Sequence, residues 1–361
     1  MEFAVTLATP ADDPAIRRLL RENPVPGAIA LSFEREPDYF LGCAPMGRSV
    51  QVLVARHLPT GDVAGICCRA IQHRYVNGVP QAIGYLGELR VDPRYRGRWL
   101  VSQGMRAIHE LHADGQVSAY LATITEGNSE AEGVLVDRAR RHFPAFRPVD
   151  RLHTLALMLR RRRPHSHGVD AATAQDLPAV LAFLNRCGPE KQFFPVMEAA
   201  DFNQPGLTIG DLLLVREQGE IRGCVALWDQ SSFKQSRVRG YGGALGWGRP
   251  LYNAGARLLG YQPLPAPGES LRNAYATCLC VAGNDPEVFR RLLGALYDKA
   301  AGLGYAYLTL GLFEGDPLLP VANRFPHITY RSRLYTACWE DGGTFHDRLD
   351  QRIPYLDIAA L

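Results

Sequence analysis

The stretch Leu86–Met105, LGELRVDPRYRGRWLVSQGM, guides the interpretation of the whole chain. A β-type run ends at Val91, a turn containing Pro93 follows, and a helical pattern begins near Leu100. The first N–H groups of a helix have no acceptor inside the helix, and a strand that leads into a helix N-terminus gathers them at one point. We therefore expect an anion site here, suited to a phosphate or pyrophosphate.

The composition predicts a cytoplasmic globular protein. Of the 361 residues, 47% are hydrophobic and 21% are charged, and this length favours two domains. No apolar run approaches the ~20 residues of a membrane span, and the N-terminus has no secretory signal pattern. The net charge of +3 is too small to indicate nucleic-acid binding. The eight cysteines form no Cys-x-x-Cys pair and are expected to be reduced and mostly buried, with no metal site. We expect neither a nucleic-acid nor a membrane partner.

An internal repeat links the two halves of the sequence. The segment Ala8–Ile16, ATPADDPAI, has a counterpart in Ala172–Val180, ATAQDLPAV. In each, a Thr is placed to cap a helix and an Asp follows three residues later, where a negative charge suits the helix N-terminus. These residues are Thr9 with Asp12, and Thr173 with Asp176.

The patterns after each copy also correspond. Each half continues with a hairpin, a strand, a helix, another strand and a C-terminal strand. In the first half the strands are expected over 50–56, 63–72, 82–91, 118–125 and 152–159, with the helix over 100–113. In the second half they are expected over 211–216, 221–228, 274–282, 306–312 and 330–339, with the helix over 286–303.

The sequence thus predicts an α/β protein of two tandem mixed-sheet units. The first spans 1–160, a linker spans 161–168, and the second spans 169–361 with an insertion near 230–270. The Arg-rich run at 160–163 also fits a basic patch, but a solvated linker is the commoner explanation of such a run beside Pro, Ser and Gly.

The element order, together with Val91–Gly97, VDPRYRG, resembles the GNAT superfamily of acyl-CoA-dependent N-acyltransferases. The resemblance implies two tandem GNAT-like units, with acetyl-CoA or another acyl-CoA as co-substrate and no metal. The pyrophosphate of coenzyme A would lie on the loop amides, and its pantetheine arm between the fourth and fifth strands. Trp99 and Val101 replace two small residues of the family pattern, which reshapes the loop. The implied cofactor-binding residues are Leu89, Arg90, Val91, Arg96, Gly97, Arg98, Trp99, Leu100, Val101 and Asn128.

Glu88 is the catalytic candidate, as the base that takes a proton from the acceptor ammonium. Partial desolvation on the splayed strand would raise its pKa for that role. The alternative is a structural strand residue paired with Arg90, two positions away on the same face. By the same resemblance, backbone N–H groups near Leu89 to Val91 would polarise the thioester carbonyl.

Asn128 and Ala131 resemble the Asn-x-x-Ala of the helix that borders the cofactor arm in the family. Asn128 also fits an ordinary helix cap, and the two roles are compatible. Many members carry a Tyr four residues later that protonates the departing thiolate, and this sequence has Leu135 there.

The second half is expected to be a degenerate copy without coenzyme A. Cys278 stands where the repeat places Glu88, and Gly283–Pro286 replaces the Arg-Gly loop. The segment Arg239–Ala244 matches the family pattern by spacing, but it follows a polar stretch, and Pro250 is expected to interrupt the next helix. We expect a Gly- and Pro-rich insertion there, with a short helix around 253–259.

The sequence therefore predicts an acyl-CoA-dependent N-acyltransferase, with acetyl transfer to a small-molecule amine as the first hypothesis. Two alternatives stay open: a non-catalytic acyl-CoA-binding or scaffold protein, and a long-chain acyl or aminoacyl transferase. Both a monomer and a homodimer are compatible with the sequence.

Overall fold

The computed structural model describes residues 2–97, 99–136, 142–160 and 168–361. The strands of the first half are β1 Phe3–Leu7, β2 Ile29–Glu34, β3 Ser49–His57, β4 Val63–Val76, β5 Val79–Val91, β6 Tyr120–Thr125 and β7 Ala145–Met158. Those of the second half are β8 Asp170–Ala171, β9 Asn203–Gln204, β10 Leu207–Thr208, β11 Leu212–Glu217, β12 Glu220–Trp228, β13 Gln235–Tyr241, β14 Asn273–Val281, β15 Tyr307–Phe313 and β16 His327–Cys338. The helices are α1 Asp13–Glu22, α2 Tyr39–Cys43, α3 Leu100–His112, α4 Ser129–Leu135, α5 Leu177–Cys187, α6 Gly243–Leu258, α7 Pro286–Gly302 and α8 Leu319–Ala322.

One 12-stranded mixed sheet joins the two halves, in the order β1-β3-β4-β5-β6-β16-β7-β15-β14-β12-β11-β8. Its centre is an exchange of strands, because β16 pairs with β6 of the first half and β7 pairs with β15 of the second. The pairs β5–β6 and β14–β15 are parallel and join only three residues each. The predicted fold class is confirmed, with the two units sharing one sheet.

The repeat at the two helix starts is confirmed in atomic detail. Asp12 accepts hydrogen bonds from the backbone N–H and the hydroxyl of Thr9, and Asp176 does the same for Thr173. An arginine of a neighbouring strand binds each aspartate in turn, Arg56 of β3 in the first half and Arg216 of β11 in the second. The same capping arrangement therefore positions α1 and α5 against the sheet.

Alternating apolar residues bury both faces of the sheet. Two apolar clusters cover opposite faces of the first half; Val54, Cys68 and Leu121 belong to the one below α1, and Leu86 and Ile108 to the one below α3. Helices α5 and α7 cover the second half in the same way.

Two features of the insertion differ from the prediction. The stretch expected to be polar loop contains β13, which pairs with β2 in an antiparallel ribbon between the halves. Helix α6 extends from Gly243 to Leu258 and passes through Pro250, so the predicted break and the shorter helix are wrong. Proline removes one backbone donor, but the turns on either side of Pro250 keep theirs.

The eight cysteines are all buried and unpaired by disulfides. Within the described residues, no cluster of His, Cys, Asp and Glu is arranged to hold a metal ion. No helix of the described ranges is long and apolar enough to cross a membrane.

Candidate active site

A cavity of about 290 Å³ lies in the first half where β5 and β6 separate. Pairing between the two strands ends at Leu86 and Ala122, and beyond that point the strands diverge. Met105 and Ile108 of α3 line the cavity on one face of the sheet, and Glu88 lines it from β5. The position between the fourth and fifth strands of the half is the one that the sequence predicted for a pantetheine arm.

A β-bulge places Glu88 at this opening. Glu88 and Leu89 of β5 together face the single residue Cys67 of β4, and Glu88 has a left-handed backbone with φ of 54°. The same bulge recurs in β14, where Cys278 also has φ of 54°. The predicted equivalence of Glu88 and Cys278 is confirmed by this backbone match. A left-handed non-glycine residue is strained, and such strain clusters at functional sites.

The bulge also determines where the backbone donors point. The N–H of Asp92 bonds to the carbonyl of Ala64 on β4. Donors alternate from side to side along the regular part of a strand, so the N–H group of Val91 points away from β4 and towards the opening, and Leu89 lines the opening from within the bulge. Both residues lie in the segment whose donors the sequence proposed for a thioester carbonyl.

Glu88 is paired with Arg35, and not with Arg90 as the structural alternative expected. Arg35 Nη2 lies 2.7 Å from Glu88 Oε1, and the two side chains are only 3% and 16% exposed. Arg35 also donates to the carbonyl of Gly42 in α2, whereas Arg90 donates to the adjacent carbonyl of Leu89 at 3.1 Å. The bulge breaks the two-residue alternation that predicted the Glu88–Arg90 pair.

The pKa of Glu88 is lowered, although the sequence predicted that it would be raised. Burial pushes this pKa upwards, but the positive charges of Arg35, Arg90 and Lys234 outweigh burial. Glu88 therefore remains a carboxylate at neutral pH.

Lys234, just before β13, is a functional candidate that the sequence analysis missed. Its ammonium group donates to the backbone oxygen of Leu361, which lines the cavity, and lies 5.7 Å from the centre of the Tyr275 ring. Burial and the nearby Arg35 lower the pKa of Lys234 to about 7. Nothing in its polar sequence context distinguishes it, because its partners come from distant elements.

The turn from β5 to α3 forms the predicted Arg-Gly loop. Gly97 has φ of 76°, and Trp99, at the N-cap of α3, has φ of 62°. Trp99 therefore occupies a backbone conformation that favours glycine, and its side chain is 65% exposed. Arg96 Nη1 lies 3.9 Å from Glu130 Oε2 of α4, so the loop and α4 approach each other. Arg98 lies outside the described residues.

Three predicted binding residues have a packing role for their side chains. Leu100 is buried in a cluster with Phe3 and Tyr95, and Val91 packs against this cluster. Val101 packs on the cluster beneath α3. Only their backbone groups can serve a ligand at the loop, whereas Leu89, Arg90 and Asn128 line the cavity itself.

Asn128 caps α4 and lies in the wall of the cavity. Its Oδ1 accepts the N–H of Ala131 at 3.1 Å, which caps α4, and its side chain lines the cavity. Leu135 also lines the cavity. The position at which many GNAT members carry tyrosine therefore faces the opening but offers no proton.

The equivalent opening in the second half is filled. The space between β14 and β15 measures about 10 Å³, roughly the room for one water molecule. The C-terminal segment crosses it, with Tyr355 in its wall and Asp357 accepting the N–H of Cys278 at 3.2 Å. A Cβ on Gly311 of β15 would lie 2.7 Å from Ile358 Cγ2, which shows how closely the segment is packed.

Compared by sequence, the chain matches no family model and no curated protein. Compared by structure, it is similar to N-myristoyltransferase of Saccharomyces cerevisiae with bound myristoyl-CoA, at a TM-score of 0.63 and 10% identity over 93% of this chain and 82% of that one. It is also similar to a GCN5-related N-acetyltransferase from Sphaerobacter thermophilus, at 0.55 and 15% over 99% and 98% of the two chains. A third neighbour is the GCN5-related glucosamine N-acetyltransferase region of a fungal multi-domain beta-N-acetylglucosaminidase, at 0.61 and 16% over 92% of this chain and 38% of that one.

These likenesses show that the chain has the GNAT fold. The neighbours share little sequence with it, so the chemistry of its site is argued from its own residues.

Proposed function

We propose that this protein is an acyl-CoA-dependent N-acyltransferase whose first half binds the acyl-CoA. The observation that carries the proposal is the cavity between β5 and β6, which is lined by the Glu88 bulge and by Asn128 at the start of α4. The loop amides and the first turn of α3 suit the pyrophosphate, and the opening suits the pantetheine arm. The named activities of the structural neighbours support the same class of reaction.

The size of the cavity favours a short acyl group. At about 290 Å³ it falls at the lower end of small-molecule sites, which are roughly 300–1,000 Å³. The pantetheine arm takes up much of such a space, so we favour acetyl over a long chain. The acceptor is an amine that approaches from the side of Glu88, and a small-molecule amine remains our first choice.

The reaction forms a C–N bond and breaks the C–S bond of the thioester. The amine must lose a proton before its nitrogen attacks, and the sulfur leaves as the coenzyme A thiolate. The N–H groups of Leu89 and Val91 would stabilise the negative charge that develops on the carbonyl oxygen. With Leu135 in place of a tyrosine, water supplies the proton to the thiolate.

Glu88 is our first candidate for the group that receives the amine. As a carboxylate it attracts the ammonium form, orients it and accepts its proton. Its lowered pKa makes it a weak base, so Lys234 is a second candidate: its pKa of about 7 leaves a neutral amine available at neutral pH.

Titration calorimetry with acetyl-CoA, a long-chain acyl-CoA and free coenzyme A tests the binding part of the proposal. We expect acetyl-CoA and free coenzyme A to bind with a stoichiometry of one per chain. Tighter binding of the long-chain compound, followed by its turnover with an amine, would support the long-chain alternative. Absence of binding by all three would overturn the proposal.

The pH dependence of kcat/KM separates the two proton acceptors. If Lys234 acts, the rate rises through pH 7 and the variant Lys234→Met loses that rise. If Glu88 acts alone, this variant keeps the profile of the parent, because Glu88 stays ionised throughout the range. Acceptors of different amine pKa serve as the control, since the titration of the acceptor shifts with the compound.

A further inference from the structure

Helix α6 presents an apolar stripe to solvent. Trp247, Leu251 and Leu258 are 92%, 81% and 88% exposed, whereas monomeric surfaces rarely group large apolar side chains in this way. At about 100° per residue, these three positions fall within roughly 40° of one another around the helix. They therefore form one continuous ridge.

The opposite side of α6 attaches it to the protein. Asn253 and Ala256, which lie across the helix from the ridge, are buried. Asn253 Nδ2 donates to the carbonyl of Leu264 at 3.1 Å, and its Oδ1 accepts the N–H of Leu264 at 2.8 Å. These two hydrogen bonds fix the orientation of the helix, so that its apolar ridge faces outwards.

The charge around the ridge is positive. Within α6 the charged residues are Arg249 and Arg257, and the helix contains no Asp or Glu. Arg257 is exposed and lies about 100° around the helix from the ridge, whereas Arg249 lies on the attached side, with its guanidinium 5.5 Å from the centre of the Tyr241 ring. Arg160, also exposed, pairs with Tyr261 just beyond the end of the helix, with its guanidinium 6.0 Å from the ring centre.

We propose that α6 docks this protein on the surface of an anionic lipid bilayer, with Trp247, Leu251 and Leu258 entering the headgroup region and the exposed Arg160 and Arg257 facing lipid phosphates. Interfacial helices combine these features: a Trp and Leu face, and Arg or Lys beside it. A second copy of the chain fits the ridge poorly, because it would bring another basic helix to it. Three side chains also fall well short of the roughly 20–30 residues a side of a stable dimer.

This proposal departs from the expectation of no membrane partner. That expectation came from composition and from the lack of a spanning segment, and neither detects a helix that lies in the plane of the interface. The proposal is independent of the acyltransferase function, because its test uses no acyl-CoA.

Sedimentation with vesicles tests the docking directly. We expect the protein to bind vesicles of equimolar phosphatidylcholine and phosphatidylglycerol, and to bind pure phosphatidylcholine at least about tenfold more weakly, since each basic residue near an anionic surface contributes about 1 kcal/mol. The double variant Trp247→Ser/Leu251→Ser should partition at least about tenfold more weakly than the parent, because both side chains lose their burial in lipid. Leu58→Ser is the matched control: Leu58 is 53% exposed but lies in the β3–β4 turn, and its loss should change nothing.

Fluorescence gives a second readout. Trp228 and Trp339 are buried, so in the variant Trp99→Phe the exposed indole is Trp247, and its emission should shift to the blue on anionic vesicles. Failure to bind anionic vesicles at low salt, equal binding by the double variant, or an unshifted emission would overturn the proposal. It would also be overturned if the ridge variants abolish self-association of the protein in the absence of lipid, since a second copy would then be the occupant.

Discussion

At the scale of single residues, the site depends on a carboxylate held in an unusual place. The bulge and its left-handed backbone turn Glu88 towards Arg35, so that one guanidinium fixes both its charge and its orientation. A buried ion pair of this kind costs desolvation, which proteins accept where the charge has a task. The proposed task is to receive the amine.

Replacing Glu88 with Gln tests this role. We expect Glu88→Gln to lower kcat by about 10²–10⁴-fold, as expected for loss of a group that moves a proton, while the Kd for acyl-CoA stays nearly unchanged. Steady-state kinetics and calorimetry check the two quantities. Glu217→Gln, at the exposed end of β11, is the control; an unaltered kcat in Glu88→Gln would exclude Glu88 from the reaction.

Lys234 gives the folded state a dependence on pH. Its pKa is about 7 in the folded protein and near 10.5 when unfolded, so the unfolded chain holds more protons between these values. The free energy of unfolding should therefore rise from pH 7 to pH 10 relative to that of Lys234→Met. Urea titrations across this range measure the difference, and Lys299→Met on α7 serves as the comparison. A constant difference between parent and Lys234→Met would show that the buried ammonium keeps its proton.

Substitutions at Trp99 and Gly97 should change the stability of the protein in opposite directions. Trp99 has φ of 62°, which costs a non-glycine residue roughly 1–2 kcal/mol, so Trp99→Gly should raise the free energy of unfolding by about 1 kcal/mol. Gly97→Ala should lower it by about the same amount: its φ is 76°, and a Cβ there would touch nothing, so the loss is conformational only. Chemical denaturation of both variants decides between this account and a stabilising contact of the indole, for which Trp99→Gly would be the less stable protein.

At the scale of elements, the tail explains why the second site is closed. Asp357 accepts hydrogen bonds from the hydroxyl of Thr277 and from the N–H groups of Cys278 and Ala359. The N–H of Cys278 in the β14 bulge is therefore bonded to the protein's own carboxylate and is not available to a ligand. The filled opening supports the prediction that one copy alone binds coenzyme A.

Removing this carboxylate should destabilise the protein without creating a second site. Asp357→Ala removes the acceptor of these three donors and of the Tyr355 hydroxyl, which lies 3.4 Å from Asp357 Oδ2, and we expect a loss of about 3 kcal/mol in the free energy of unfolding. Asp347→Ala, which removes an exposed partner of Arg147, should cost less than about 1 kcal/mol. Thermal denaturation measures both. If Asp357→Ala bound two acyl-CoA molecules, the tail would be a plug on a competent second site.

The elements also show what the sequence could predict. Elements with clear periodicity, such as β12, α3 and α7, were predicted to within one residue at each end, because burial of one face imposes the pattern. The β2–β13 ribbon was missed because β13 carries mostly polar and charged side chains, and because the partner of the short strand β2 lies in the other half of the chain. α6 was predicted too short because Pro250 and several glycines oppose a helix locally, and contacts made on folding override them.

The site was predicted in part for the same reason. Glu88, Leu89, Arg90 and Asn128 follow from a local motif, and the structure places all four at the cavity. Arg35 and Lys234 reach the site from other elements, so no local sequence motif predicts that they lie there. The sign of the pKa shift of Glu88 was wrong because it depends on these two distant cations.

At the scale of the whole molecule, the exchange of β7 and β16 makes one folding unit of two copies. Each half lacks the strand that its own fifth strand requires until the other half supplies it. We expect a single calorimetric transition in which the calorimetric and van't Hoff enthalpies agree, although chains of this length often unfold in steps. Two separate transitions would show that each half is stable without the exchanged strand.

The exchange also has a consequence for biosynthesis. When the ribosome has completed β6 and β7, the edge of β6 still lacks its neighbour, because β16 has not yet been translated. Translation proceeds at ~5–20 residues per second, so the edge of β6 stays unpaired for on the order of ten seconds or more. During this time it can pair with the wrong strand. Chaperone demand during translation should therefore be set by the arrival of β16, and codons that slow the ribosome between β7 and β16 should lower the yield of native protein.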